Sequence, residues 1–321
     1  MTERHPGLYQ IEQILGPRYL YQYLLVGERS MLIDTGVATS PDETILPYFE
    51  EVGFQPADLD LIVISHADVD HFGGNARMRE VAPRALIVSH KFDAHWVSSR
   101  DRILNERYGW YKQFGMDYPA ETEEWLQEAL GPDVRVDLAL NGGETIMLDD
   151  DRPIHVLHLP GHTDGHLGFY DEANKAVIII DAILWRGLLD MENNIISPPP
   201  YGLIQPYLNA IDRVLGLDFE HLYTGHYVSK SGDEARRWLE ESKQYVQDAH
   251  EAVAEILRSA GGAMTLSEVH EQANEKLGPY SAFAVELAMP IFAHLERLVA
   301  EGKAEREQGE TQPEWRSTAA L

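Results

Sequence analysis

One short polar stretch, residues 65–74, constrains the fold and chemistry of this chain more than any other. It reads Ser-His-Ala-Asp-Val-Asp-His-Phe-Gly-Gly and follows the apolar run 59–64, which predicts a buried strand. Within six residues it carries two imidazoles and two carboxylates that could bind a metal: His66, Asp68, Asp70 and His71. Neighbouring side chains of a strand point to opposite faces, so convergence on one ion requires the strand to end here. We therefore expect a strand, a ligand-bearing loop and a helix over 75–80.

Two glycines end this stretch, Gly73 and Gly74. Glycine permits close packing and backbone angles that other residues avoid, and both are expected where ligands must be aimed. The alternative interpretation is a polar surface turn that happens to carry two histidines. The density of ligand-type side chains favours the metal site.

The stretch resembles the His-x-His-x-Asp-His signature of the metallo-β-lactamase superfamily, with Asp68 in the place of the second histidine. Four further segments match other motifs of that family in the same order. They are Asp34-Thr35-Gly36, Pro160-Gly161-His162-Thr163-Asp164-Gly165-His166, Asp181 at the end of the apolar run 176–180, and Thr224-Gly225-His226. The resemblance covers roughly residues 7–228 and implies an α/β fold, the αββα sandwich of this family.

The resemblance also implies a ligand set for two divalent metal ions. One ion would take His66, Asp68 and His162. The second would take the ligands Asp70, His71 and His226, with Asp181 as the bridge, and Asp70 would also have a catalytic role. Such ions lower the pKa of a bound water, so the expected activity is hydrolysis of a small ester, thioester, lactone or phosphoester by a metal-activated hydroxide.

Asp68 is the departure from the family pattern that bears on metal identity. Zinc is the first expectation, but a carboxylate in place of imidazole makes the first site harder and more negative, which favours iron or manganese. The flavodiiron branch of the superfamily has a carboxylate here, so a di-iron enzyme that uses oxygen or nitric oxide is the alternative function. A binding protein that only kept the fold is disfavoured by the nearly complete ligand set. The substrate, the metal and the ligand role of Asp68 stay open.

Composition limits the partners of the chain. With 321 residues, 44% of them hydrophobic, it is long enough for a full core and two domains. The 26 basic and 53 acidic side chains give a formal charge of −27, and without a basic stripe this predicts a small-molecule substrate and no nucleic acid. Cysteine is absent, and no apolar run approaches the length of a membrane span or signal peptide. We expect a cytoplasmic protein without membrane contact, and a homodimer stays open.

Residues 1–230 are predicted to form the catalytic domain, since strands and helices alternate along them. The segment 91–132 interrupts this alternation with aromatic residues among charged ones. From its residues it either covers the substrate pocket or packs on the core, about equally, and the resemblance to the superfamily favours a cover over the pocket. The proline run 198–200 predicts a rigid connection that lines the pocket. His155 and His158 are expected to be ordinary strand histidines, and His166 is expected to lie behind the ligands or to be structural.

Residues 231–321 are predicted to form a second, mostly helical domain. Three helical patterns precede two short strand patterns, and this order resembles a winged helix. From residue 263 to the end, five basic residues stand against ten acidic ones. This balance disfavours phosphate binding and favours a packing or dimerisation module that helps to close the active site.

Overall fold

Two β-sheets form the centre of the protein in the computed structural model, which describes residues 2–318. Predictions that fall on residues 1 and 319–321 lie outside this range. The first sheet has seven strands in spatial order, β1 (Thr2–His5), β2 (Leu8–Leu15), β3 (Arg18–Val26), β4 (Ser30–Ile33), β5 (Leu61–Val63), β6 (Leu86–His90) and β7 (Leu138–Leu140). Strands β1 to β4 pair antiparallel and β4 to β7 parallel.

The second sheet is built from the middle of the chain. Its six strands are β8 (Thr145–Asp149), β9 (Arg152–His158), β10 (Leu167–Asp171), β11 (Ala176–Ile180), β14 (His221–Thr224) and β15 (Lys230–Ser231). Between β11 and β14 the chain also forms a separate hairpin of β12 (Leu188–Leu189) and β13 (Ile195–Ser197). The hairpin stands apart, and the spatial order of the other six strands is β15-β14-β11-β10-β9-β8.

Alternating side chains explain the layering. On β11, Ile178 and Ile180 point into the core between the sheets, whereas Val177 and Ile179 pack outward against helices. The helices of this half of the molecule are α1 (Leu46–Val52), α2 (Val69–Phe72), α3 (Asn75–Val81), α4 (Ala94–Val97), α5 (Arg100–Arg102), α6 (Ala120–Ala129) and α7 (Ile204–Leu215). Helices α1 and α3 cover the first sheet and α7 the second. The predicted αββα sandwich is confirmed.

Two local features depend on contacts beyond the nearest neighbours. Ser40 stands at the N-cap position of the helical segment that begins at Pro41, but its hydroxyl makes no capping hydrogen bond and accepts one from the Val37 amide at 2.9 Å. The residues Asn141-Gly142-Gly143 predict a tight turn between consecutive strands. They instead carry the chain from β7 in the first sheet to β8 in the second, and the turn signal alone cannot distinguish these two connections.

The C-terminal part begins with the long helix α8 (Gly232–Ser259). It continues with β16 (Met264–Thr265), α9 (Leu266–Leu277), a 3-10 turn (Ala284–Leu287), α10 (Ala288–Ala300), β17 (Ala304–Gln308) and β18 (Pro313–Ser317). In the small sheet β18 lies between β16 and β17. Leu295 and Trp315 belong to the same hydrophobic cluster as Ile103 and Tyr111 of the insertion, so this part packs on the insertion. No helix within residues 2–318 is long and apolar enough to span a bilayer.

Candidate metal centre

The ligand-bearing stretch has the predicted break in its backbone. Strand β5 ends at Val63, Asp68 is in extended conformation, and the short helix α2 then carries Asp70 and His71. The expectation of unusual angles at Gly73 and Gly74 is wrong, since both are in the right-handed helical region. The expected close packing is present, because a Cβ at Gly73 would meet the Ala129 carbonyl oxygen and one at Gly74 the Thr35 carbonyl oxygen.

All seven residues predicted as ligands converge at one edge of the sandwich. Their donor atoms fall into three groups in which the atoms lie within 4.8 Å of one another: His66 with Asp68 and His162, Asp70 with His71 and His226, and His66 with His71 and Asp181. The first two groups coincide with the two predicted ion sites, and the third places Asp181 between them. The ligand roles themselves stay a prediction, which this clustering supports.

The four histidines are oriented alike. Each can donate its Nδ1 hydrogen to a fixed oxygen: His66 to Ser65 Oγ at 2.9 Å, His71 to Asp34 Oδ2 at 2.8 Å, His162 to the Pro200 carbonyl at 2.7 Å and His226 to the Tyr19 carbonyl at 2.8 Å. This leaves the Nε2 lone pair of each ring for the centre of the cluster, which is the arrangement of metal-bound histidine.

Several atoms at the centre fit a cation. The Nε2 atoms of His66 and His71 and Oδ1 of Asp181 are buried without a hydrogen-bond partner among the described residues. Buried polar atoms are rarely left in this state, and a metal ion would satisfy all three. Burial opposes charge on His71, yet Asp181, Asp70 and Asp34 raise its pKa well above the ordinary value, so the surroundings favour positive charge here. Burial and the neighbouring His71 lower the pKa of His66 to about 4, which keeps it neutral.

Asp34 holds two parts of the cluster together. Its backbone is left-handed, with φ at 64°, at the end of β4. Its carboxylate accepts hydrogen bonds from the Ser65 amide and hydroxyl, both at 2.7 Å, and from His71. In the sequence the Asp-Thr-Gly turn is recognisable only as a family motif, and the structure shows that its aspartate orients a predicted ligand.

Asp68 has a partner that sequence reasoning missed. Arg107, in the insertion, donates to both carboxylate oxygens of Asp68, at 2.6 and 2.9 Å, and the Tyr108 hydroxyl lies 3.1 Å from Oδ1. Oδ2 of Asp68 also lies 2.8 Å from His162 Nε2. Burial opposes the charged carboxylate, but Arg107 and the histidines hold the pKa of Asp68 well below its usual range. The extra negative charge expected from Asp68 is therefore matched by a buried arginine.

Asp70 is paired in the same way. Arg18, at the start of β3, donates to Asp70 Oδ2 at 2.9 Å. Its guanidinium carbon lies 6.0 Å from the ring centre of Trp125 and 5.5 Å from that of Phe283, which suits cation–π contact. Burial works against ionisation of Asp70, whereas His71 and Arg18 lower its pKa. No short-range signal marked Arg18 or Arg107, because each reaches its aspartate across a long stretch of chain.

The donor cluster opens into a small cavity of about 40 Å³. Tyr108, Trp125 and Leu126 of the insertion line it, as do Phe283 and Glu286 of the C-terminal part. Tyr118 donates a hydrogen bond to Glu286 at 3.0 Å, which joins these two walls. Burial, with the charge of Asp68, raises the pKa of Glu286 to about 7.

The aromatic insertion both covers the site and packs on the core. While Trp125 lines the cavity, Trp110 and Phe114 each lie 5.5 Å from the Phe292 ring of α10. The proline-rich connection also lines the cavity, through Ser197 and Pro200. His166 is fully buried and stacks on His66 with ring centres 4.5 Å apart, as expected of a residue behind the ligands.

Comparison with protein families decides the family of the chain. The model of the metallo-beta-lactamase superfamily matches residues 15–226, which contain every predicted ligand. The chain belongs to this superfamily. It is thus a metal-dependent hydrolase by family, and its histidine and aspartate clusters are able to bind metal ions.

Individual relatives agree with this assignment. The acyl-coenzyme A thioesterase MBLAC2 of Gallus gallus is 26% identical over 216 residues, which are 62% of this chain and 69% of that protein. The flavo-diiron protein FprA2 of Clostridium acetobutylicum is 33% identical over only 69 residues, 21% of this chain and 16% of FprA2. The crystal structure of the metallo-beta-lactamase family protein TTHA1429 of Thermus thermophilus has a TM-score of 0.75 at 23% identity, over 98% of this chain and 99% of that one. The whole fold, including the C-terminal part, therefore recurs.

Proposed function

We propose that the chain hydrolyses a thioester with two divalent metal ions at the donor cluster. The observation that carries the metal-dependent part is the common orientation of four histidines, each held through Nδ1, toward two groups of carboxylates. The similarity to an acyl-coenzyme A thioesterase supports a thioester over the ester, lactone and phosphoester that the ligands also suit. Zinc remains the expected metal.

Each part of the site would have a separate role in the reaction. Ions held by the cluster would lower the pKa of an attacking water and stabilise negative charge on the carbonyl oxygen. Arg18 fixes the Asp70 carboxylate, which then orients the water by accepting a hydrogen bond. The lowered pKa of Asp70 suits it to this acceptor role rather than to storing a proton. The water oxygen bonds to the acyl carbon, the carbon–sulfur bond breaks, and the products are a carboxylate, a thiol and a proton.

Thiol release from an acyl thioester under anaerobic conditions tests this function. We expect release at the same rate with and without oxygen, its loss on treatment with a chelator, and its return when zinc is added back. The short similarity to FprA2 keeps the di-iron redox enzyme as the second candidate. Oxygen uptake without thiol release would contradict the hydrolase and favour that candidate.

We further propose that residues 231–321 form a winged-helix-like domain that closes the active site of the catalytic domain 1–230 and does not bind nucleic acid. The helix and strand order, with β18 between β16 and β17, supports the winged-helix comparison. All five basic residues beyond 263 are paired with glutamates: Lys276 with Glu255, Arg297 and Lys303 with Glu301, Arg306 with Glu296, and Arg316 with Glu305. A cytoplasmic location and a homodimer remain predictions without further support.

A gel-shift assay at low salt is the severe test of this point, because phosphate contacts are strongest there. We expect no shift of double-stranded DNA or RNA at protein concentrations of up to about 100 µM, the weak end of the usual non-specific range. A salt-dependent shift would overturn the proposal and make nuclease activity a candidate function.

A further inference from the structure

A second pocket lies beside the donor cluster and shares His226 with it. It has a volume of about 320 Å³, whereas the cavity at the donor cluster has about 40 Å³. A cavity of about 40 Å³ holds a few water molecules but no substrate chain. The larger pocket is within the usual size range of ligand sites. The larger pocket therefore offers room next to the donor cluster that a long substrate group needs.

The walls of the second pocket are aromatic and fixed. Trp185, in the connection after Asp181, has a left-handed backbone with φ at 47° and donates its indole hydrogen to Glu241 at 2.8 Å. Trp238 of α8 meets Tyr227 edge to face at 5.2 Å. The Tyr227 hydroxyl lies 2.8 Å from the Leu184 carbonyl oxygen and 2.9 Å from that of Gly187, and its one hydrogen is shared between them. A strained tryptophan held by such contacts is typical of a preorganised binding surface.

One exposed apolar side chain lines this pocket, and two more lie on the segments that carry its lining residues. Val228, which lines it, is 60% exposed. Ile14, 59% exposed, pairs across β2 and β3 with the pocket residue Tyr19. Met191, 46% exposed, belongs to the β12–β13 hairpin, and its amide donates to the Pro17 carbonyl at 2.9 Å. Val228 thus adds apolar surface at the pocket itself.

The charges of the pocket indicate which part of a thioester it binds, the acyl chain or the thiol. Three carboxylates line it, Asp190, Glu234 and Glu241, against two cations, Lys230 and Arg237. Lys230 is itself paired with Glu234 at 3.3 Å. The whole chain also carries a formal charge of −27. A phosphate-bearing thiol would be repelled here, whereas a hydrocarbon chain would pack against Trp185, Trp238 and Tyr19.

We propose that this pocket binds the hydrocarbon chain of the acyl group, so that the preferred substrates are medium- or long-chain acyl thioesters whose carbonyl lies at the donor cluster. The inference rests on the proposed thioesterase function. In this arrangement the acyl chain passes His226 and lies along Trp185, with its carbonyl at the donor cluster.

A series of thioesters that share one thiol and differ in acyl length tests the proposal. From butanoyl to octanoyl we expect kcat/KM to rise by roughly ten- to a hundredfold, below the limit for complete burial of the added methylene groups. Val228→Lys, which places a charge at an exposed position, and Trp185→Ala should flatten this dependence. Leu86→Ser is the matched control, since Leu86 is exposed on β6 and does not line the pocket.

A binding measurement separates this inference from the proposed function. A bromine-labelled long-chain fatty acid should quench tryptophan fluorescence, and Trp185→Phe should lose a measurable part of that quenching. Equal kcat/KM for all acyl lengths, with equal quenching in both proteins, would overturn the acyl pocket and leave the thioesterase intact. Quenching that depends on Trp185, without hydrolysis of any thioester, would support the pocket and overturn the proposed function.

Discussion

Alanine at His226 is expected to remove about one equivalent of bound metal per chain and to lower hydrolysis by roughly a hundredfold or more. His226 belongs to the second donor group, and its Nε2 lies 3.1 Å from Asp181 and 3.6 Å from Asp70. Without the imidazole, these two carboxylates would retain only His71 as a nitrogen ligand of that group. His71→Ala should act alike, and Asp181→Ala should be worse because a bridging residue serves both ions.

Metal content and kcat of purified variants measure this effect. His155→Ala is a suitable control, because His155 is a partly exposed strand histidine whose side chain contacts Thr145 and Glu172, away from the cluster. It should keep both metal and activity. Retention of metal and activity in His226→Ala would contradict the ligand assignment.

The single substitution Asp68→His is expected to lower both zinc binding and fold stability. Zinc binding and stability are expected to be retained only when Arg107 is replaced as well. From the sequence alone, Asp68→His restores the family pattern and should raise selectivity for zinc. The structure changes this expectation, because Arg107 is 8% exposed and its main partner is the Asp68 carboxylate. A buried guanidinium without that partner costs about 3–5 kcal/mol and would repel a cation at the first site.

We therefore expect Asp68→His to lower the melting temperature and the zinc content together. The double variant Asp68→His, Arg107→Gln should recover zinc and fold stability, which thermal unfolding and elemental analysis would measure. Arg102→Gln, an exposed arginine of the same segment whose ion pair with Glu106 spans 3.7 Å, is the matched control and should change neither. If Asp68→His alone bound zinc as tightly as the double variant, the coupling between Asp68 and Arg107 would be refuted.

The parts of the site that the sequence predicts are those encoded by local pattern. The apolar run before residue 65 and the ligand-type residues after it predict the strand, the loop and the helix that the structure contains. The three helical patterns predicted after residue 230 correspond to α8, α9 and α10. The positions of His162, Asp181 and His226 follow from family order rather than from spacing, and the structure places their side chains at one point.

The parts that the sequence does not predict depend on contacts between distant segments. Arg107 reaches Asp68 only because the insertion folds back over the cluster, and Phe283 reaches Arg18 only because the C-terminal part packs there. Asn141-Gly142 has the same local preference whether it joins two strands of one sheet or of two. In each case tertiary packing, and not local conformational preference, decides the outcome.

Elemental analysis of the protein purified without added metal tests the central claim most directly. If the seven clustered side chains hold two ions, the protein should contain about two equivalents of divalent metal per chain, and a chelator should remove metal and thioesterase activity in parallel. The same preparation of Asp181→Ala should contain well under one equivalent. Thioesterase activity in a protein that contains no stoichiometric metal would contradict the account.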